Sequence, residues 1–327
     1  MREVEKNIFM EVVALPNNPL KTLNVYIIKG EDHSLIIDTG FNREETKRVL
    51  EGLMEDLDLE VDRTELFLTH LHSDHTGLAY YFASQGMRVY ASRVDGQLLN
   101  QSVKKTDPMW QETLNQGHIQ GLDEDQLNLE DHPGYRFRPE GYVDYVFVDP
   151  GDPIQVGDYT FEVVDLKGHT PGMVGLYERD QGILFSGDHI LSNITPNITF
   201  WGFDYGDSLG IYLDSLDRVY QMDIKSLYSS HRDLIKDPRG RIDQLRAHHA
   251  HRLEEAKRAL KNLGKARVRE VTRQLHWDIR ARSWEDFPKA QKWFAAGEAH
   301  AHLEHLRALG QVDFERDPQG VLYYYLK

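Results

Sequence analysis

The stretch Thr69-His70-Leu71-His72-Ser73-Asp74-His75-Thr76-Gly77 places three imidazoles and one carboxylate within six residues. It directly follows a short apolar run that predicts a buried strand. Alternate residues of an extended chain point the same way, so His70 and His72 can chelate one ion. A turn into a following helix would direct Asp74 and His75 toward a second ion. Because the chain contains no cysteine, imidazole and carboxylate are the ligands that it offers to zinc, iron or manganese.

Three further metal-binding side chains occur downstream, and each comes after a predicted strand. They are His169 in Gly168-His169-Thr170-Pro171-Gly172, Asp188 in Ser186-Gly187-Asp188-His189 and His231 in Ser229-Ser230-His231-Arg232. Loops that follow strands display catalytic groups from a rigid sheet. These positions are therefore predicted to share a functional site with the first cluster.

The motif His-x-His-x-Asp-His, followed by single His, Asp and His residues at strand ends, resembles the signature of the metallo-β-lactamase superfamily. The resemblance covers about residues 8 to 235, and all seven ligand positions match. It implies an α/β fold, the αββα sandwich in which two central sheets are flanked by helices. It also implies a dinuclear metal site along one edge of that sandwich.

The resemblance assigns a ligand role to each of these side chains. The implied ligands are His70, His72 and His169 for one metal, Asp74, His75 and His231 for the other, and Asp188 as the bridge. Two divalent transition-metal ions are expected, with zinc favoured and iron or manganese as alternatives. A metal-bridging hydroxide would be the nucleophile, because two cations about 3.5–4 Å apart lower the pKa of the water between them. Asp74 is the expected catalytic residue, which passes a proton to the leaving group.

Three more residues are expected to support the ligands. Asp38, in Ile36-Ile37-Asp38-Thr39-Gly40, matches a position at which the family orients a ligand histidine with a carboxylate. A cap for the predicted helix 42–53 is an equally good interpretation of Asp38. Thr69 and Thr170 are expected to brace the ligands beside them.

The expected activity is that of a binuclear metal-dependent hydrolase acting on an acyl bond, with a thioester favoured. The form Gly168-His169-Thr170-Pro171-Gly172 motivates this preference, since glyoxalase II and thioesterase-like members share it. The alternatives are a phosphodiesterase or endoribonuclease, a lactonase, and a metal-containing regulatory protein. His72 in place of glutamate disfavours the flavodiiron branch, and the full ligand set disfavours a mononuclear persulfide dioxygenase.

Two units are predicted along the chain. Residues 1–239 form the catalytic domain, in which 96–142 is interpreted as a lid insertion. Residues 240–327 form a small winged-helix-like domain, because predicted helices, including 287–296 and 299–309, are followed by one β-hairpin. This order resembles the winged-helix extension of a hydrolase-like branch that includes a mammalian endoribonuclease.

Charge and composition limit the partners. The 327 residues are 40% hydrophobic and 28% charged, which is typical of a globular protein. The net charge of −15 divides into −20 before residue 241 and +5 after it, so nucleic acid and anionic membranes are disfavoured as partners. No apolar run reaches the roughly 18 residues of a membrane span, and no signal peptide is recognised. We expect a cytoplasmic enzyme with a small-molecule substrate, no membrane association and possible homodimer formation.

Overall fold

A computed structural model describes residues 1–16 and 18–327 of the chain, and two β-sheets dominate it. The first sheet contains, in spatial as well as chain order, β1 (Arg2–Glu5), β2 (Ile8–Ala14), β3 (Thr22–Ile28), β4 (Ser34–Ile37), β5 (Thr64–Phe67), β6 (Arg88–Ser92) and β7 (Val146–Val148). The second contains, from edge to edge, β8 (Pro153–Val156), β9 (Tyr159–Asp165), β10 (Val174–Glu178), β11 (Ile183–Gly187) and β12 (Ser226–Ser229).

Helices occupy the connections and the C-terminal quarter of the chain. They are α1 (Glu44–Asp56), α2 (Ser73–Thr76), α3 (Ala79–Ser84), α4 (Arg93–Asn100), α5 (Pro108–Ile119), α6 (Pro133–Arg136), α7 (Ser208–Tyr220), α8 (Pro238–Leu263), α9 (Val268–Thr272) and α10 (Lys289–Ala308). A small third sheet, in the order β13-β15-β14, is formed by β13 (Ala266–Arg267), β14 (Val312–Arg316) and β15 (Leu322–Leu326). Within the described residues, no helix is both long and apolar enough to cross a membrane.

Three apolar layers hold the sandwich together. The first layer lies between the two sheets, where aromatic residues of both sheets pack together. Tyr26 and Phe185, for example, have a ring-centroid distance of 5.1 Å. The outer face of the first sheet is covered by α1, α3 and α4, and that of the second by α7 and the start of α8. Burying apolar surface on both faces of each sheet is the main stabilising term of such a fold. The predicted αββα sandwich is confirmed.

The strand directions explain why functional loops converge. From β4 to β7 the neighbouring strands are parallel, and β12 is parallel to β11. The carboxyl ends of parallel strands lie at the same edge of a sheet. Asp38 follows β4, the histidine motif follows β5, Asp188 follows β11 and His231 follows β12.

Some predicted elements differ from the observed ones. The helix expected to start near Asp74 is broken into α2 and α3 at Gly77, where an added Cβ would collide with the backbone of Asn42. The two helices predicted at 287–296 and 299–309 are one, α10. The segment interpreted as a lid from residue 96 begins inside α4, whose Leu99 is part of the core beneath the first sheet.

The C-terminal quarter is closely connected to the rest of the chain. Helix α8 begins on the second sheet, where Ile242 packs, and ends in a separate apolar cluster that contains Leu260. Helices precede the β14–β15 hairpin, as expected. The division at residue 239 and the winged-helix-like description remain predictions.

Candidate metal centre

The loop after β5 brings the first group of ligands together. His70 Nε2 lies 3.1 Å from His72 Nδ1, and the rings of His72 and His169 are 4.5 Å apart. One ring nitrogen from each of these three histidines lies within 4.8 Å of the others. This is the group that the sequence predicted for one metal.

A second group lies on the other side of the same loop, where α2 begins. Nε2 of His231 is 3.5 Å from Oδ2 of Asp74, and Nε2 of His75 is 3.9 Å from the same oxygen. His75 and His231 are completely buried, whereas Asp74 is 8% exposed. The short helix α2 places Asp74 and His75 beside the first group, with the rings of His75 and His70 only 4.0 Å apart.

Asp188 lies between the two groups. Its Oδ2 is 3.7 Å from His169 Nε2, and its Oδ1 is 3.6 Å from His75 Nε2 and 3.4 Å from His231 Nε2. One carboxylate oxygen therefore faces each group. This is the arrangement expected of a carboxylate that bridges two ions.

The residues present fit bound cations. Among the buried side-chain atoms that have no hydrogen-bond partner within the described residues, four lie together in this centre: Nε2 of His75, His169 and His231, and Oδ1 of Asp188. Unpaired buried polar atoms are rare, and they call for a partner such as an ion. Nitrogen and oxygen ligands of one zinc ion lie about 3–3.6 Å apart, given metal–ligand bonds of about 2.0–2.1 Å. The contacts of 3.1–3.9 Å between these side chains are close to that range.

Charge balance also favours cations here. Burial lowers the pKa of His70 and lowers that of His72 to about 3, so both rings are neutral and able to ligate. Burial alone would lower the pKa of His231, but Asp188 and Asp74 outweigh it and raise the value to about 10. Carboxylates that hold a proton on a buried imidazole would hold a metal cation in its place.

Asp38 supports a ligand in each group. Its Oδ2 accepts a hydrogen bond from Nδ1 of His75 at 2.7 Å and another from the hydroxyl of Thr69 at 2.8 Å. The Thr69 oxygen lies 3.0 Å from Nδ1 of His70, which donates to it in this network. Such outer contacts fix the ring orientation of metal ligands. Helix α1 starts at Glu44 with Arg43 as its N-cap, so the interpretation of Asp38 as a helix cap is wrong.

Backbone carbonyls fix two of the remaining histidines, His169 and His231. Nδ1 of His231 donates to the carbonyl of Thr22 at 2.6 Å, and Nδ1 of His169 donates to the carbonyl of Asn197 at 2.8 Å. Trp201 contributes twice, since its Nε1 donates to the His169 carbonyl at 3.1 Å and its ring stacks on His72 at 6.0 Å.

Asp95, at the start of α4, is a supporting residue that the sequence analysis missed. Its carboxylate accepts hydrogen bonds from the hydroxyl of Thr170 at 2.6 Å, the backbone N–H of Gly172 at 2.7 Å and that of Leu71 at 3.0 Å. Asp95 therefore connects the loop that carries His169 to the loop that carries His70. Thr170 helps to position His169 through its hydrogen bond to Asp95. Ser92 and Asp95 resemble a helix-capping pair in the sequence, but only the Ser92 side chain caps.

The segment after α4 lies beside the histidine motif. The Ser73 hydroxyl donates to the carbonyl of Pro133 at 3.2 Å, and the Asn42 amide donates to the carbonyl of Arg138 at 3.4 Å. Trp110, which lies within the predicted lid 96–142, is only 2% exposed and belongs to the interior of the segment. A gating role for this segment remains a prediction.

Known proteins share both the pattern and the fold. The family model described as the metallo-beta-lactamase superfamily matches residues 21–242. A solved structure of a metallo-beta-lactamase family protein from Thermus thermophilus superposes with a TM-score of 0.80 at 25% identity, covering 99% of this chain and 100% of that one.

Two relatives carry more specific names. The acyl-coenzyme A thioesterase MBLAC2 of Homo sapiens is 27% identical over 174 residues, which is 50% of this chain and 57% of that protein. The chain thus spans little more than half the length of this relative. The hydroxyacylglutathione hydrolase GloC of Haemophilus influenzae is 28% identical over 197 residues, or 60% of this chain and 79% of that protein. With a family model matching most of its length, the chain belongs to the metallo-β-lactamase superfamily.

Proposed function

We propose that this protein is a binuclear metal-dependent thioesterase. The observation that carries the proposal is the position of Asp188, with one carboxylate oxygen toward each ligand group. His70, His72 and His169 would hold one divalent ion, and Asp74, His75 and His231 the other, with zinc favoured. The thioester preference is supported by two relatives named as an acyl-coenzyme A thioesterase and a hydroxyacylglutathione hydrolase.

When bound, the two ions would supply Lewis acidity, which polarises an acyl carbonyl and lowers the pKa of water. In the reaction, water adds to the acyl carbon and the carbon–sulfur bond breaks, leaving a carboxylic acid and a thiol. The sulfur leaves as a thiolate and needs one proton.

Asp74 is the group that can move this proton. It is the more exposed of the two aspartates in the centre, at 8% against 5% for Asp188, so it lies nearer to the substrate side. Burial raises its pKa, but His75 and His231 outweigh burial and lower the value to about 2. The carboxylate is therefore ionised near neutral pH. Since Oδ2 faces His75 and His231, the other oxygen is the one that would accept a proton from water and pass it to the sulfur.

Trp201 and His72 form the accessible side of the centre. His72 is the one predicted histidine ligand that is partly exposed, and the Trp201 indole stacks on it. A flat apolar ring beside the ligand gives the acyl group a surface on which to pack. We expect this ring to place the acyl carbon next to the metal ligands.

The test combines metal analysis with a substrate panel. Metal-loaded protein should contain about two ions per chain, and it should hydrolyse acyl-coenzyme A or acyl-glutathione faster than a lactone or a phosphodiester. Asp188→Ala should abolish turnover and keep the fold, while Asp180→Asn, at an exposed turn, serves as the control. A stoichiometry of one ion, or a preference for phosphodiesters, would contradict the proposal.

A further inference from the structure

The segment from Asn197 to Trp201 holds His169 from two directions. The ring donates from Nδ1 to the carbonyl of Asn197 at 2.8 Å, while the indole of Trp201 donates to the His169 carbonyl at 3.1 Å. With Nδ1 acting as the donor, the lone pair is left on Nε2, which faces Asp188 at 3.7 Å. The segment therefore sets both the tautomer and the position of this ligand.

The segment in turn rests on the C-terminal helix α10. The side-chain amide of Asn197 donates to the carbonyl of Phe294 at 3.2 Å and to Oε2 of Glu298 at 2.9 Å. The backbone N–H of Phe200 donates to the carbonyl of Gly297 at 3.1 Å. An added Cβ at Gly297 would collide with the Thr199 side chain, so glycine permits this close approach in the middle of a helix.

Glu298 is held in its place by a second C-terminal helix. Its side chain is 9% exposed, and Nε of Arg252, in α8, lies 3.4 Å from Oε1. Arg252 also donates to Glu255 at 2.8 Å and to the carbonyl of His276. A buried carboxylate is stable only when paired and hydrogen-bonded in this way. A continuous set of contacts thus joins His169, through Asn197 and Glu298, to α10 and α8.

We propose that Asn197 and Glu298 are positioning residues for His169, so that helix α10 completes the metal centre. The inference rests on the proposed function, because it gives His169 its role as a ligand. It assigns the C-terminal residues to one metal group only. His75 and His231, in the other group, donate their outer hydrogen bonds to the Asp38 carboxylate and the Thr22 carbonyl instead.

The test measures zinc affinity of the metal-stripped full chain by competition with a chromophoric chelator, alongside the thermal unfolding midpoint. Asn197→Ala keeps the carbonyl that binds His169 but loses the anchor to α10, and Glu298→Ala loses the acceptor. Each should weaken one of two zinc equivalents by about 10-fold and leave the other unchanged. Glu298→Gln keeps an oxygen acceptor for Asn197 and should recover most of the affinity.

Glu304→Ala is the matched control. Glu304 is buried on the same helix, but its carboxylate accepts hydrogen bonds from Arg307 and Tyr324, both within the C-terminal quarter. This variant should lower the unfolding midpoint without changing either zinc affinity.

Unchanged zinc binding in both alanine variants, with two equivalents in the wild type, would overturn the inference and leave the proposed function intact. Equal weakening in Glu304→Ala would also overturn it, because the effect would then be general destabilisation. A wild-type chain that binds no zinc would instead remove the proposed function itself.

Discussion

Asp38 Oδ2 accepts the Nδ1 hydrogen of His75 at 2.7 Å, and Asp38 does so from a left-handed backbone conformation with φ of 62°. Asparagine and aspartate adopt that conformation more readily than other residues with a side chain. The substitution Asp38→Asn therefore removes the charge and keeps the backbone. Asp38→Asn therefore tests how much the charge of Asp38 contributes to positioning His75, without a change in the backbone.

We expect Asp38→Asn to weaken metal binding by about 10- to 100-fold, because the carboxylate orients His75 directly and His70 through Thr69. Chelator competition would measure this loss. Asp158→Asn, which breaks an exposed ion pair with Lys6, should leave the affinity unchanged. Equal affinities in all three proteins would show that Asp38 does not act on the ligands.

Asp95 should produce a pH-dependent stability. Burial raises its pKa to about 6, against the ordinary value of about 3.9 in an unfolded chain. The folded state therefore binds the proton more tightly, so the stability linked to this proton is full below about pH 4 and is lost as the pH rises through about 6.

The measurement is urea unfolding of metal-stripped wild type and Asp95→Asn between pH 4 and 7. The free energy of unfolding of the wild type, relative to the variant, should fall by about 2 kcal/mol across this range. Asp180→Asn, at an exposed turn, is the control for the loss of a carboxylate by itself. A flat difference for Asp95→Asn would refute the buried, proton-binding carboxylate.

The contact between α5 and α10 can be tested with two glycines. An added Cβ at Gly117 would lie 2.8 Å from the ring of Trp293, whereas one at Gly52, in α1, would meet nothing within 4 Å. Gly117→Ala should destabilise the protein by about 1–3 kcal/mol through overpacking. Gly52→Ala should stabilise it by about 1 kcal/mol, since alanine favours helix. Equilibrium unfolding of both variants checks the opposite signs.

The C-terminal quarter should not bind duplex DNA tightly. Arg269 pairs with Asp125 at 2.7 Å and with Glu124 at 3.2 Å, and Lys292 pairs with Asp125 at 2.9 Å, so these basic residues already have acidic partners within the chain. Helix α10 has 13 buried residues of 20, which leaves little of it free to enter a groove. A salt titration with random-sequence DNA should show no binding near physiological salt. Nanomolar affinity with a steep salt dependence would contradict this prediction.

Spacing along the sequence was enough to single out the side chains of the candidate centre. His70, His72, Asp74 and His75 are neighbours in the chain, and the remaining ligands follow strands whose alternation is easy to recognise. The sandwich was predicted from the resemblance of these motifs to the metallo-β-lactamase superfamily, whereas strand alternation by itself indicated only the separate strands. Local pattern therefore locates the strands and the ligands, and the family resemblance supplies their arrangement.

Two supporting residues, Asp95 and Asn197, could not be predicted in the same way. Asp95 acts on Gly172 across 77 positions, and Asn197 acts on Glu298 across 101. Neither residue carries a pattern that distinguishes it from an ordinary polar residue near a helix. The break at Gly77 and the unbroken α10 involve close contacts between segments that are distant in the sequence, Gly77 with Asn42 and Gly297 with Thr199. Helical periodicity does not predict such contacts.

The hydrogen bond from His231 to the Thr22 carbonyl joins residues 209 positions apart, and Asn24 adds bonds to the carbonyls of Ser229 and Arg232 across 205 and 208 positions. A growing chain exposes the histidine motif long before it can contain β12. Contacts of such long sequence separation form late and slowly. During translation or refolding, the chain would therefore acquire its complete set of metal ions only when β12 has joined its sheet. The earlier pairing of β2 with β3 would not be enough.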